Sequence, residues 1–164
     1  MGGMRPRIPP FFLALSLAGG IGVMLYEGYR ENAYDDGVGV QTVGFGSTTH
    51  VDGSPVKRGD KMPVERALVR LSQDVARFET EMRACLGPVP LYQHEWDAYV
   101  SLTYNIGGGA FCRSTLVKRL KQTPPDYAGA CAEILKWNRA GGQVLPGLTK
   151  RRKDEFKLCT EGRP

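Results

Sequence analysis

Residues 8–26 carry no charged side chain, and the first charge after them is Glu27. As one α-helix these nineteen residues would extend about 28 Å, just enough to cross the hydrocarbon layer of a bilayer. Arg5 and Arg7 precede the run, and the cytoplasmic bias of flanking cations predicts a cytoplasmic N-terminus with everything after Tyr26 exported. The run is dilute: Ala14, Ser16, Ala18, Gly19, Gly20 and Gly22 interrupt Phe11, Phe12, Leu13, Leu15, Leu17, Ile21, Val23, Met24 and Leu25. A span so poor in large side chains is held loosely by lipid. Two other readings stand beside an uncleaved export anchor. Ser16-Leu17-Ala18 has the small-x-small form of a cleavage site, behind an apolar core at the short limit for a signal peptide; the run also suits a buried core helix.

The remainder reads as a globular chain. With 24% charged and 41% hydrophobic residues among 164 it is neither disordered nor low-complexity, and it suits one compact domain or two small lobes sharing a helix. A net charge of +5 favours polyanionic surroundings, whether nucleic acid, anionic lipid or cell wall. Val64, Ala67, Leu68, Leu71, Val75, Phe78 and Met82 recur at helical spacing and predict an amphipathic helix over 63–85, opened by Pro63 and ended by Gly87-Pro88-Val89-Pro90. A second helix carries Trp96, Tyr99, Val100, Leu102, Thr103 and Ile106 and is closed by Gly107, Gly108 and Gly109. Ser114 caps a short helix over 115–121, Thr123 with Pro124 opens one that reaches Trp137, and Thr149 opens the last, to about Cys159. Residues 51–61 form a polar loop, and the sheet is confined to 33–46.

The chemistry concentrates between Glu27 and Thr42. Glu27 follows Val23, Met24, Leu25 and Tyr26, an apolar setting that disfavours its charged form. Asp36 sits in a polar turn beside Asp35 and Gly37, where ionisation is easy. Carboxyl groups whose surroundings push their proton affinities apart are the pair that cleaves glycosidic bonds, and Thr42 on the next strand adds a hydroxyl that can hold water. On chemistry alone Asp35 and Glu31 are equally available acids.

Glu27, Asp36 and Thr42, set within EGYR, YDD and TVGFG, resemble the catalytic signature of the phage-type lysozymes, glycoside hydrolase family 24. VPLYQHEWDAYVSLTYNIGGGAF, STLVKRL and AGACAEILKWNRAGGQVLPGLTKRRKDEF resemble that family's core helix and glycine turn, its next helix and its closing segment. The resemblance implies an α+β, lysozyme-like fold: a small N-terminal lobe with a short sheet and a mainly helical C-terminal lobe, joined by a long helix. It divides the chain into an anchor (1–26), a small catalytic lobe (27–61), a connecting helix (62–85) and a helical lobe (86–164). It makes Glu27 the general acid and Asp36, rather than Asp35, the carboxylate that positions water with Thr42, in a cofactor-free inverting muramidase that opens peptidoglycan. Tyr104, Asn105 and Thr115 match positions that line the family's sugar cleft.

With its leader the chain is most similar to the signal-arrest-release endolysins of phages of Gram-negative hosts. Their weakly apolar N-terminal helix is exported by the host secretion machinery, stays in the inner membrane with the enzyme held inactive, and leaves when a holin or pinholin collapses the membrane potential. The implied location is thus the periplasmic side of the host inner membrane and then the periplasm, as a monomer. Cys85, Cys112, Cys131 and Cys159 all follow the leader, and an exported location permits disulfides. Four cysteines allow three pairings, of which Cys131 with Cys159 and Cys85 with Cys112 are favoured. No cysteine precedes Cys85, so the anchor-thiol control of some relatives is unavailable. His50 and His94 are isolated, in surface or loop positions, and no metal site is expected. The basic runs Lys118-Arg119-Leu120-Lys121 and Lys150-Arg151-Arg152-Lys153 read as solvated helix faces, with attraction to lipid or wall polymer as the alternative; nucleic acid is not an expected partner.

Overall fold

The computed structural model describes residues 6–161. Arg5 therefore lies outside the described residues. The fold is α+β and mostly helical, with two two-stranded antiparallel sheets. Contacts divide it into two units: Gly20–Arg77, and the described residues up to Gly19 together with those from Phe78 onward.

The first unit carries most of α1 (Leu17–Glu27), the hairpin β1 (Arg30–Asp35) and β2 (Gln41–Gly44), and most of α2 (Val64–Leu86). The strand pairing begins at Arg30, earlier than the expected residue 33, because Arg30 pairs with Gly44 across an irregular stretch that ends at the Tyr34–Thr42 pair. Val43, Phe45, Met62, Ala67 and Leu71 form its core.

The second unit is built on α3 (Gln93–Ile106), buried without a break from Glu95 to Thr103. A helix buried on so many sides fits only the middle of a bundle. It packs chiefly on α7 (Pro146–Glu161), while α4 (Gly108–Arg113), α5 (Thr115–Leu120) and α6 (Tyr127–Glu133) follow one another beside it. Trp96, Tyr99, Leu102, Phe111, Leu116, Leu120 and Ile134 fill the centre. Disulfides join Cys85 to Cys112 and Cys131 to Cys159, closing loops of 27 and 28 residues. Loops of that length restrict the unfolded chain by about 3.5 kcal/mol each in the chain-entropy description.

Several boundaries differ from the sequence expectations for local reasons. Only Gly107, at φ 87°, ends α3; Gly108 and Gly109 already belong to α4. The helix expected from Thr123 to Trp137 starts at Tyr127, because the Asp126 carboxylate accepts from the Gly129 amide, and gives way to a 3-10 turn at Ile134–Lys136. The last helix starts at Pro146, a residue suited to the first helical position. A second hairpin, β3 (Arg139–Ala140) with β4 (Gln143–Val144), lies outside the expected sheet region; two consecutive positive-φ glycines, Gly141 and Gly142, make its turn.

The largest difference concerns the leader. Residues 8–26 are not one helix, and no helix among the described residues is long and apolar enough to cross a membrane. Pro9 and Pro10 supply no amide hydrogens; Pro10–Phe12 makes a 3-10 turn and the chain then runs extended into α1. What replaces the helical hydrogen bonds is a set of acceptors and donors on residues 79–97. Ile8 exchanges backbone hydrogen bonds with Leu91 (2.9 and 2.8 Å). The Leu15 amide donates to Glu79 Oε1, and the Ser16 amide and hydroxyl donate to the two oxygens of Asp97. Arg83 donates to the carbonyls of Pro10 and Leu13. Arg7 forms an ion pair with Glu95 at 2.8 Å and lies over the rings of Tyr92 and Tyr127. Glu79, Glu95 and Asp97 are all buried, and a buried carboxylate without donors is costly. The strap and its receptor therefore stabilise each other.

The basic runs also depart from expectation. Arg151 and Arg152 are buried and paired with Glu155, and Arg119 pairs with Asp126 and Glu133, so neither run is simply a solvated face. His50 lies in a loop, its Nε2 2.8 Å from Asp60 Oδ2. His94 is on α3, not in a loop, its ring stacked on Tyr92.

Candidate active site

Gly28 ends α1. At φ 67° it turns the chain left-handed and donates its amide to Met24 O (2.9 Å), which leaves Glu27 as the last helical residue. The Tyr29 hydroxyl then donates to Met62 O (2.8 Å), and its ring meets Phe45 at 5.6 Å. Desolvation and the carboxylates of Glu31 and Glu65 raise this phenol above its ordinary range, so it remains a donor. Three residues after Glu27 the chain is already in β1.

The hairpin tip is built by its two aspartates. Asp35 Oδ1 accepts from the amides of Gly37 (2.8 Å) and Gly39 (3.1 Å), and Asp36 Oδ1 from those of Val38 (3.0 Å) and Val40 (3.2 Å). Gly37 and Gly39 take positive φ, 93° and 86°, which lets the loop present these amides inward. The register separates the two acids. Tyr34 pairs with Thr42 and Asp35 with Gln41. Side chains alternate along a strand, and the Asp36 amide continues the ladder to Val40 O (3.1 Å). Asp36 thus shares a face with Thr42, and Asp35 takes the opposite face with Gln41.

Val40 joins Asp36 to Thr42. Its amide donates to the Asp36 carboxylate, and its carbonyl accepts from the Asp36 amide and, at 3.5 Å, from the Thr42 hydroxyl. Asp36 is exposed and its second oxygen meets no donor among the described residues, whereas Thr42 is buried. The pair offers a carboxylate open to solvent beside a hydroxyl fixed by the sheet.

Glu27 is half-buried and approaches the turn that follows β2. That turn is closed by reciprocal backbone hydrogen bonds between Val43 and Ser47 (2.9 Å each). A Cβ at Gly46 would lie 3.3 Å from Glu27 Oε2, and Gly46 has φ 81°. A side chain there would press on the carboxylate. Gly46 stands in TVGFG, and its approach to Glu27 becomes visible only when the helix end meets the turn.

Glu27, Asp36 and Thr42 all belong to the first unit. Tyr104, Asn105 and Thr115 belong to the second. Tyr104 is half-buried and packs edge-on against Phe78 (5.6 Å), Asn105 is exposed near the end of α3, and Thr115 is exposed as the first residue of α5 behind the Ser114 cap. Among the described residues no cluster of His, Cys, Asp and Glu could hold a metal ion.

Comparison with known proteins shows which family the chain is similar to. The phage lysozyme family matches residues 24–155. The endolysin of Acyrthosiphon pisum secondary endosymbiont phage 1 is 40% identical over 137 residues, covering 81% of this chain and 88% of that protein. The SAR-endolysin of bacteriophage PS34 is 32% identical over 136 residues, covering 83% and 77%. The solved structure of the endolysin from Escherichia coli O157:H7 phage FAHEc1 superposes with a TM-score of 0.82 at 33% identity, covering 93% of this chain and 96% of that one. The chain has the lysozyme-like fold and belongs to the phage lysozyme family of peptidoglycan-degrading glycoside hydrolases.

Proposed function

We propose that this enzyme hydrolyses the β-1,4 bond between N-acetylmuramic acid and N-acetylglucosamine, lysing the host cell, with Glu27 as general acid and Asp36 and Thr42 positioning the attacking water. Glu27 gives its proton to the glycosidic oxygen as the bond to the anomeric carbon breaks. Asp36 accepts a proton from the water that attacks the opposite face of that carbon, and exchange with solvent restores both carboxyl groups. The observation that carries the reading is the link through Val40, which sets an exposed carboxylate and a buried hydroxyl on one face of the hairpin. Tyr104, Asn105 and Thr115 contact the glycan in this reading. Digestion of purified peptidoglycan should release saturated products with reducing ends, the α-anomer first. Products ending in anhydromuramic acid would replace this mechanism with that of a transglycosylase.

The leader supplies the control. Residues 1–26 are exported by the host secretion machinery and held in the inner membrane, and a holin or pinholin frees them by collapsing the potential. The strap docked on Glu79, Glu95 and Asp97 is then the released form, and freeing the leader lets α1 form and end on Glu27. Gly19 supports this, since a Cβ there would lie 2.9 Å from Asp97 Cγ; the small residues that weaken the membrane span also allow the docked packing. Gly22 separates the two roles, because a Cβ there meets nothing within 4 Å. Gly22→Leu should strengthen the lipid-held state without obstructing the folded one. It should delay lysis after depolarisation and raise the membrane-bound fraction. Lysis timing equal to the parent's would refute the release mechanism.

A further inference from the structure

Helix α2 buries a carboxylate that the proposed mechanism does not use. Asp74 is 7% exposed and shares a face of α2 with Ala67 and Leu71, seven and three residues before it, which belong to the core. Its oxygens accept from Arg70 and Arg77 on the same helix and, from the turn after β2, from the Ser47 hydroxyl (Oγ to Oδ2, 3.2 Å). Arg70 also donates to the His50 carbonyl (3.3 Å), so this pair on α2 holds the chain at Ser47 and again at His50. A buried carboxylate on an apolar stripe is costly unless its partners are fixed. Ser47 is the partner that it fixes beyond its own helix among the described residues, and Ser47 is itself 5% exposed.

Ser47 closes the turn that meets Glu27. Its amide and carbonyl exchange hydrogen bonds with Val43, which binds the four residues between them into one rigid piece. Two glycines in that piece make close approaches. A Cβ at Gly44 would lie 3.0 Å from Met62 Sδ and 3.1 Å from Ala67 Cβ, and one at Gly46 would lie 3.3 Å from Glu27 Oε2. The turn therefore lies against the start of α2 at Gly44, is tied to α2 by a side-chain hydrogen bond at Ser47, and reaches the acid at Gly46. All of these residues belong to the unit Gly20–Arg77. We propose that Asp74 and Ser47 are positioning residues for the general acid: Asp74 holds the Ser47 hydroxyl, Ser47 holds the turn, and the turn fixes where the Glu27 carboxyl stands. The inference rests on the reading of Glu27 as general acid and extends it to two residues that touch neither substrate nor acid. The tolerance of such a group is narrow, since a misplacement of about 1 Å can cost about 10²-fold in rate.

The test measures kcat and KM of the full chain on soluble peptidoglycan fragments, well below each variant's thermal transition. Ser47→Ala should lower kcat about tenfold and leave KM within about twofold, the pattern of a misplaced acid with an intact sugar site. Leu71→Ala is the stability control: it empties a core position on the same face of α2, should lower the melting temperature more than Ser47→Ala does, and should keep the parental kcat. In a Glu27→Gln background, Ser47→Ala should cause no further loss, because no acid is left to misplace. A Ser47→Ala enzyme with parental kcat, beside a Glu27→Gln enzyme that has lost activity, overturns this inference and leaves the general-acid reading standing. A full tenfold loss in the Glu27→Gln background also overturns it, since the hydroxyl would then act elsewhere. So does a Leu71→Ala enzyme as slow as Ser47→Ala, which would tie the loss to stability alone. A Glu27→Gln enzyme as fast as the parent removes the general-acid reading, and this inference with it.

Discussion

Replacing Glu27 with Gln is expected to reduce peptidoglycan hydrolysis by about 10²- to 10⁴-fold, the range that a positioned general acid contributes. The amide keeps the size of the side chain and its place against Gly46, where the glutamate oxygen lies 3.3 Å from a would-be Cβ, but has no proton to give a departing alkoxide at neutral pH. The loss should therefore fall on kcat, with KM nearly unchanged, because sugar binding does not depend on the transferable proton. Asp36→Asn tests the other half of the pair. Its Oδ1 partners, the amides of Val38 and Val40, can be retained by the asparagine oxygen, so the hairpin should persist while the group that receives a proton from water is removed. Asp35→Asn serves as the control: strand alternation places it on the opposite face, and it should retain most activity. Equal loss in the Asp35 and Asp36 variants would show that the hairpin tip acts only through its shape, and an Asp36→Asn enzyme as fast as the parent would exclude the proposed mechanism.

The second large effect lies in the helical unit. Glu155→Leu should destabilise the fold by about 3–5 kcal/mol, the cost of removing one partner of a buried ion pair. Glu155 accepts from the Ser101 hydroxyl (2.7 Å) and from Arg151 (3.1 Å), and pairs with Arg152 at 2.7 Å. Arg152 is fully buried and Arg151 is 5% exposed, so neither guanidinium can turn to water when the carboxylate is gone. Burial raises the affinity of Glu155 for a proton, and the two guanidiniums oppose that. For a chain of this size the loss corresponds to a fall in melting temperature of roughly 10 °C, measurable by calorimetry or circular dichroism. Replacing Arg151, Arg152 and Glu155 together with apolar residues of similar volume should recover much of it, because no charge is then left unpaired. A shift below about 2 °C for Glu155→Leu alone would mean that water reaches the cluster, and the account of its burial would be wrong.

The two cases differ in how visible they were before the fold was known. Glu27, Asp36 and Thr42 lie within sixteen residues, on a helix end and a hairpin whose geometry is set by neighbours. Gly28 stops the helix, Gly37 and Gly39 admit the turn, and strand alternation sets Asp35 and Asp36 on opposite faces. Local hydrogen bonds and backbone sterics act over a few residues, so the helix end, the hairpin turn and the main helices are legible from residue order alone, whereas the preference for Asp36 over Asp35 comes from the family resemblance. In the sequence Arg152 reads as solvated because a run of four cations usually is; its counter-charge Glu155 sits only three positions on, but nothing in the spacing says that this face of α7 packs on α3.

The leader shows the same division most sharply. Its missing charges, its glycines and its place before Glu27 were evident in the order of residues, since hydropathy is a property of composition along a short span. Its shape was not. Pro9 and Pro10 argue against a continuous helix, but the extended strap depends on donors and acceptors at Glu79, Arg83, Leu91, Glu95 and Asp97, most of them some sixty to ninety positions away. A main-chain amide in an apolar run takes whichever acceptor is nearest in space, and only tertiary packing brings those carboxylates within reach.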